Sequence, residues 1–324
     1  MRKKRFEIGN VTDSLVVCFN AILPIFLVMA IGYCSKIAGF IKEADVTKFN
    51  SVVFKVFMPF LTFYSVYSSD LESALHPKVI IYAVAAVLTE LFISILFVNK
   101  IEKDRKRIGV MIQGLYRSNY VIIGIPLAQS LLKGGDLGIV AILIGIIVPI
   151  YNIVAVILLE TYNGSQRAPI KKLVLDILKN PLLLGCLAGI LALLIKLKLP
   201  EPIDTAVNYM YQATGPMLLF LLGAFFRFGK VKEHVGQLAV VCTGRLVVIP
   251  AIFLTIGALL GFRGMDFVAL IGIFTTPTAI ASFPMAQNMG GDAELAGNIV
   301  VFTSLICIVT VFAWSFIFRV AGLY

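Results

Sequence analysis

Proline, glycine and asparagine inside an otherwise apolar stretch can do chemistry by freeing backbone groups. The segment Gln113–Leu127 places Asn119, Tyr120, Gly124 and Pro126 in such a setting. Pro126 removes a backbone donor and collides with the preceding turn, while Gly124 relaxes the chain. A second segment, Phe274–Pro284, holds Thr276, Pro277, Thr278, Ser282 and Pro284. Freed carbonyls and amides are costly in hydrocarbon and persist only where protein or a wet cavity satisfies them. If the two interrupted helices cross, the N-termini of their half-helices aim partial positive charge at one centre, which favours a carboxylate or similar anion. Either interruption alone reads equally well as a proline kink. Two of them in corresponding places point to a binding site.

Three ionisable residues lie at depth in apolar stretches: Glu90, Arg117 and Arg245. Such groups are expensive in a membrane and usually face a cavity or one another. A desolvated carboxylate suits a proton carrier, and an arginine suits charge compensation of an anion; a structural ion pair accounts for them as well. Asn152 lies where it can line the same cavity as Asn119, or bond a neighbouring helix. Lys55 and Lys179 are nearer the ends and read as snorkelling side chains. His76 and His234 both fall in polar connections, so no histidine metal site is expected, and no cofactor. Gly223 to Gly229-Lys230 is one residue too long for a phosphate loop, and Val231 replaces the Ser or Thr. Neither a zinc-protease motif nor a nucleophile–histidine arrangement lies in the apolar stretches, which argues against an enzyme.

The elements that position these residues follow from composition. Of 324 residues, 59% are hydrophobic and 14% charged, with a mean hydropathy of +0.95. That is more apolar surface than one aqueous core can hide. Stretches long enough to cross about 30 Å of hydrocarbon fall near 14–34, 46–67, 78–98, 108–132, 137–160, 173–196, 203–226, 236–261, 265–289 and 294–319. The expectation is an all-α membrane protein of ten transmembrane helices. The basic N-terminus Met1–Arg5 lacks an obvious cleavage site, and the following stretch is read as the first span. The net charge of +10 is spread over short runs between apolar stretches, which suits membrane loops and not nucleic acid. One set of connections carries thirteen Lys and Arg (Lys36 to Lys232) and the opposite set six (Lys78 to Arg319). The richer set is assigned to the cytoplasm, which leaves both termini extracytoplasmic.

Pro24 and Pro181, Gly32 and Gly189, and Pro59 and Pro216 are each separated by 157 positions. One residue more brings Pro126 onto Pro284. The chain therefore reads as two five-helix repeats, 1–160 and 173–324, joined by a short cytoplasmic linker over 161–172. An odd number of spans per repeat inverts the second copy, the plan of many secondary transporters with a site near the midplane.

The segment Asn119-Tyr-Val-Ile-Ile-Gly-Ile-Pro126 resembles the Asn-x-x-x-x-Gly-Ile-Pro motif of the auxin efflux carrier family. Thr276–Gln287, Gly290–Ala296 and Thr303 resemble its bacterial, malate permease-like members. The resemblance covers nearly the whole chain. It implies the fold of the bile acid–sodium symporters, with broken, crossing helices four and nine. It also implies a scaffold from spans 1, 2, 6 and 7, a transport unit from spans 3–5 and 8–10, and elevator-like movement. It further implies a homodimer through the scaffold and a contact from Asn119 to a substrate carboxylate. Two departures are a serine at Ser282, where plant members carry proline, and the lack of their long central loop. The substrate implied is thus a small organic anion such as malate or an auxin-like acid, carried across a plasma or bacterial inner membrane. An anion channel and a sodium-coupled symporter of an unrelated amphipathic substrate remain open alternatives, and so do a proton, sodium or no coupling ion.

Overall fold

The computed structural model describes residues 9–69, 76–131, 138–163 and 169–324, with side chains given at Phe19 and from Leu23 onward. Among these residues every regular element is helical. In chain order they are α1 (Gly9–Ile37), α2 (Glu43–Tyr67), α3 (Pro77–Ile101), α4 (Arg105–Tyr116), α5 (Tyr120–Leu131) and α6 (Gly138–Tyr162). There follow α7 (Ile170–Leu178), α8 (Pro181–Leu194), α9 (Glu201–Phe225), α10 (Phe228–Leu259), α11 (Gly264–Thr275), α12 (Ser282–Asn288) and α13 (Ala293–Val320). Helix occupies all ten expected stretches. By length and apolarity, α2, α3, α6, α10 and α13 can each cross a bilayer, and α7 with α8 would make a sixth span. The sixth expected stretch, 173–196, differs from its reading as one helix: α7 and α8 meet at 58°. The bend has a local cause. Asn180 caps α8 by accepting from the Leu182 N–H at 3.0 Å, and Pro181 sits in its first turn, where no donor is needed.

Two close helix pairs form one side of the molecule, α1 against α9 and α2 against α8. A β-carbon on Gly32 would collide with the Phe220 carbonyl, and one on Gly189 with the Phe63 carbonyl. Both glycines let backbones touch, the usual device for tight helix contact in lipid. The two contacts are copies of each other, since 32 to 189 and 63 to 220 are the same 157-residue step. Thr214 donates to the Phe57 carbonyl across that interval as well.

The connections at the start of α2, α4, α10 and α13 share one end of the molecule. There Arg227 pairs with Glu43 and with Glu294, and Asp292 receives both Arg107 (3.3 Å) and His234 (3.4 Å). At the other end His76 meets Asp266 at 2.8 Å and the Lys78 ammonium donates to the Leu260 carbonyl. These helix ends thus have polar company, as suits a membrane surface.

Candidate functional site

The chain unwinds twice, between α4 and α5 and between α11 and α12, and the two unwound segments cross. Asn119 N–H donates to the Pro277 carbonyl at 2.8 Å, and Ala279 N–H donates to the Arg117 carbonyl at 3.1 Å. Ser118 and Thr278 form an antiparallel bridge. Backbone groups released by each break are therefore satisfied by the other, as hydrocarbon demands. The first break lies at Arg117–Asn119, several residues before Pro126 and Gly124, where the sequence placed it. The reason is the ring geometry of proline: Pro126 is accommodated at the second position of the α-helical turn that begins at Ile125, behind a π-helical turn over Tyr120–Gly124. Pro284 similarly lies in the first turn of α12, while Pro277 is within the break itself.

Gly124 has a different use from the one expected. A β-carbon there, or on Gly272 of α11, would strike the Tyr120 ring. Two glycines thus hold that ring at the crossing, and Tyr120 is fully buried with its hydroxyl unpartnered.

On one side of the crossing lies a cavity of about 430 Å³, between α1, α2 and α9 and the strand-like segments. Arg117, Asn119, Tyr120 and Asn152 line it together. Arg117 is 5% exposed; its Nη2 donates to Asn152 Oδ1 at 2.6 Å and its Nη1 to Met285 Sδ at 2.6 Å. Both partners are neutral, and among the described residues no carboxylate lines the cavity. The Asn119 side-chain amide is buried with no partner for its Nδ2 donors. An arginine charge, an unused amide donor and the N-terminal end of α5 thus share one apolar chamber. The α2 residues in the lining are Met58, Leu61, Thr62 and Ser65, in its second half. Its first half is tied to α12: Asn50 donates to Gln287 Oε1, and Ser51 Oγ to Asn288 Oδ1 at 2.8 Å.

The opposite side of the crossing holds Arg245 and Glu90, with Glu90 and Leu115 also lining a second, apolar cavity of about 640 Å³ between α3 and α10. Arg245, fully buried, donates to the Leu115, Ile273 and Thr276 carbonyls and to Glu90 Oε1, at 3.1, 2.6, 2.9 and 2.9 Å. Those carbonyls belong to the C-terminal ends of α4 and α11, where a cation is favoured. Glu90 and Arg245 are accordingly placed together, away from the cavity that holds Arg117. Thr276 and Thr278 also turn inward: their hydroxyls donate to the Gly272 and Gly114 carbonyls at 2.9 and 2.7 Å. Ser282 is buried with an unpartnered hydroxyl and, like Gly124, Pro126 and Pro284, does not line the cavity.

Sequence reasoning passed over Tyr151, Ser118 and Met285. Ser118 Oγ donates to the Tyr151 hydroxyl at 3.2 Å, and the Tyr116 hydroxyl donates to the Tyr151 carbonyl at 3.2 Å, so α6 is strapped to the first break. The Pro149–Asn152 run was the available signal. Among the described residues, no group of three or more His, Cys, Asp or Glu side chains is arranged to hold a metal.

Residues 17–315 match the family described as membrane transport proteins, which is that of the auxin efflux carriers. The chain belongs to this family. It is 24% identical to an uncharacterized transporter of Methanocaldococcus jannaschii over 309 residues, covering 92% of this chain and 98% of the relative. An uncharacterized transporter of Methanothermobacter thermautotrophicus is 24% identical over 300 residues, covering 91% and 97%. A Rhizobium meliloti protein provisionally named a malonate transporter is 24% identical over 145 residues, covering 44% of this chain and 45% of that one. As a member of this family with several bilayer-length apolar helices, the chain is a multi-pass membrane transport protein.

Proposed function

We propose that the chain is a secondary carrier of small organic anions, mono- or dicarboxylates, that binds its substrate in the cavity beside the crossing breaks. The observation that carries this reading is Arg117: a buried guanidinium with only neutral partners, next to the unused Asn119 amide. A carboxylate supplies the missing counter-charge and accepts from both donors. The Rhizobium meliloti relative's name agrees with an acid of this class.

In this reading ten spans form two inverted repeats, and the equivalent glycine contacts at Gly32 and Gly189 support that arrangement. Helices α1, α2, α8 and α9 serve as scaffold and dimer face. The remaining helices, apart from α7, carry the crossing as an elevator-like unit. Thr276, Pro277, Thr278, Ser282 and Pro284 shape the second break, and Gly124 and Pro126 the first, without touching substrate. The membrane is the plasma or bacterial inner membrane, with the arginine- and lysine-rich end in the cytoplasm and both termini outside. Glu90 is the candidate for a coupling proton, and sodium is the competing ion.

Uptake into proteoliposomes across a panel of mono- and dicarboxylates tests the reading, with sodium and pH gradients imposed separately. Saturable uptake of at least one acid is expected, and Asn119→Ala should abolish it while the variant melts like the parent. Unchanged affinity in Asn119→Ala would remove the crossing as the site. Unitary currents without saturation would make the chain a channel. Strict sodium dependence with no acid transported would favour a symporter of another substrate class. If pH dependence survives in Glu90→Gln, the carboxylate is structural.

A further inference from the structure

Helix α7 presents an apolar face to the outside of the protein. Ile170, Leu173, Val174, Ile177 and Leu178 fall at positions i, i+3, i+4, i+7 and i+8, one stripe of an α-helix. Lys172, Leu175, Asp176 and Lys179 occupy the other side, with Lys171 at the border. None of its residues is buried, and Ile170, Val174 and Leu178 are 79%, 48% and 55% exposed. Leu173 and Ile177 are half-buried, Ile177 against the core, so the bare part of the stripe is Ile170, Val174 and Leu178. The stripe continues directly into α8, whose Leu184, Leu187, Leu191 and Leu194 are also exposed.

Length places this helix at a particular depth. The fourteen residues of α8 rise about 21 Å, short of the roughly 30 Å hydrocarbon thickness. The nine residues of α7 are about 14 Å long and, inclined by 58°, add about 7 Å along the direction of α8. With α8 along the bilayer normal, the two helices together cover about 28 Å, so α7 runs obliquely through the last part of the hydrocarbon and reaches the headgroups at its Ile170 end. Lys171 and Lys172, at that end, are then near the lipid phosphates, while Lys179 lies deeper, at the junction with α8.

We infer that α7 is an interfacial helix that docks on anionic lipid, its apolar stripe sunk into the leaflet and Lys171 and Lys172 bound to headgroup phosphates. It is the only described helical segment between α6 and α8, so the lipid surface holds the junction between the first and second halves of the chain. This inference stands apart from the identity of the transported substrate.

The test uses the full chain in nanodiscs, with Trp314→Phe removing the single native tryptophan. Val174→Trp is expected to be quenched by lipids brominated on their acyl chains and protected from aqueous acrylamide. Lys172→Trp is expected to show the reverse. Equal acrylamide quenching at both positions would overturn the inference, and so would protection of position 174 from both quenchers, which would mean protein covers the face. The charge component is read by amide hydrogen exchange over residues 170–178. Exchange should be roughly tenfold slower in phosphatidylglycerol-containing discs than in phosphatidylcholine alone. The double variant Lys171→Gln, Lys172→Gln should lose that difference while melting like the parent; a difference that persists in it, or is absent from the parent, would overturn the anionic-lipid assignment.

Discussion

Two arginines sit on opposite sides of one crossing and have been given opposite environments. Arg245 is surrounded by the carbonyl ends of α4 and α11 and by Glu90, so its charge is answered from four directions. Arg117 has an amide oxygen and a thioether sulfur for partners and a cavity in front of it. The helix ends explain the division. Where two broken helices cross, C-terminal carbonyls gather on one side and N-terminal amides on the other. A fixed cation satisfies the first side permanently. In the function proposed above, the second side is left to a ligand. On that proposal, structural and ligand-binding positive charge are separated by the backbone polarity of the same four half-helices.

The largest effect expected from breaking this contrast is at the Arg245 side. Glu90→Ala leaves Arg245 buried without its acid, a change worth about 3–5 kcal/mol of stability, read as a lower melting temperature in detergent. Next in size is Arg117→Gln, expected to weaken substrate binding by roughly 10- to 100-fold, the loss of a hydrogen bond to a charged group, with melting nearly unchanged. Loss of folding at position 117 with intact affinity would abolish the distinction between the two arginines. Gly272→Ala pushes the Tyr120 ring toward the cavity and should reduce affinity about tenfold, an overpacking effect, visible in equilibrium binding. The smallest change is Ser282→Pro. It removes the N–H that donates to the Ala279 carbonyl at 3.0 Å, a loss of about 1 kcal/mol, and uptake kinetics should stay close to those of the parent.

Much of this organisation was legible in the sequence because the membrane penalises exceptions. Asn119, Gly124 and Pro126 stand out only because their neighbours are apolar, and the same holds for Thr276 to Pro284. The position of the first break was less legible, since a proline is tolerated in the first turn of the helix that follows it. The role of Arg245 depends on carbonyls 28 to 130 residues away, which no local pattern reveals. Tyr151 and Met285 resemble ordinary lipid-facing residues until their hydroxyl and sulfur are seen bonded to the crossing segments. The bend before α8 did have a signal, Asn180-Pro181 directly preceded by Lys179. Expected span length concealed it.

The missing counter-ion of Arg117 also has an electrical consequence. A monoanion bound beside it makes the occupied site neutral, whereas the empty site keeps one positive charge. In the proposed carrier, membrane voltage would then act on reorientation of the empty site and hardly at all on the loaded one. One elementary charge moved through the full field is worth about 2.3 kcal/mol per 100 mV, so the resting potential would set how fast the vacant site turns over and not how tightly it holds its cargo.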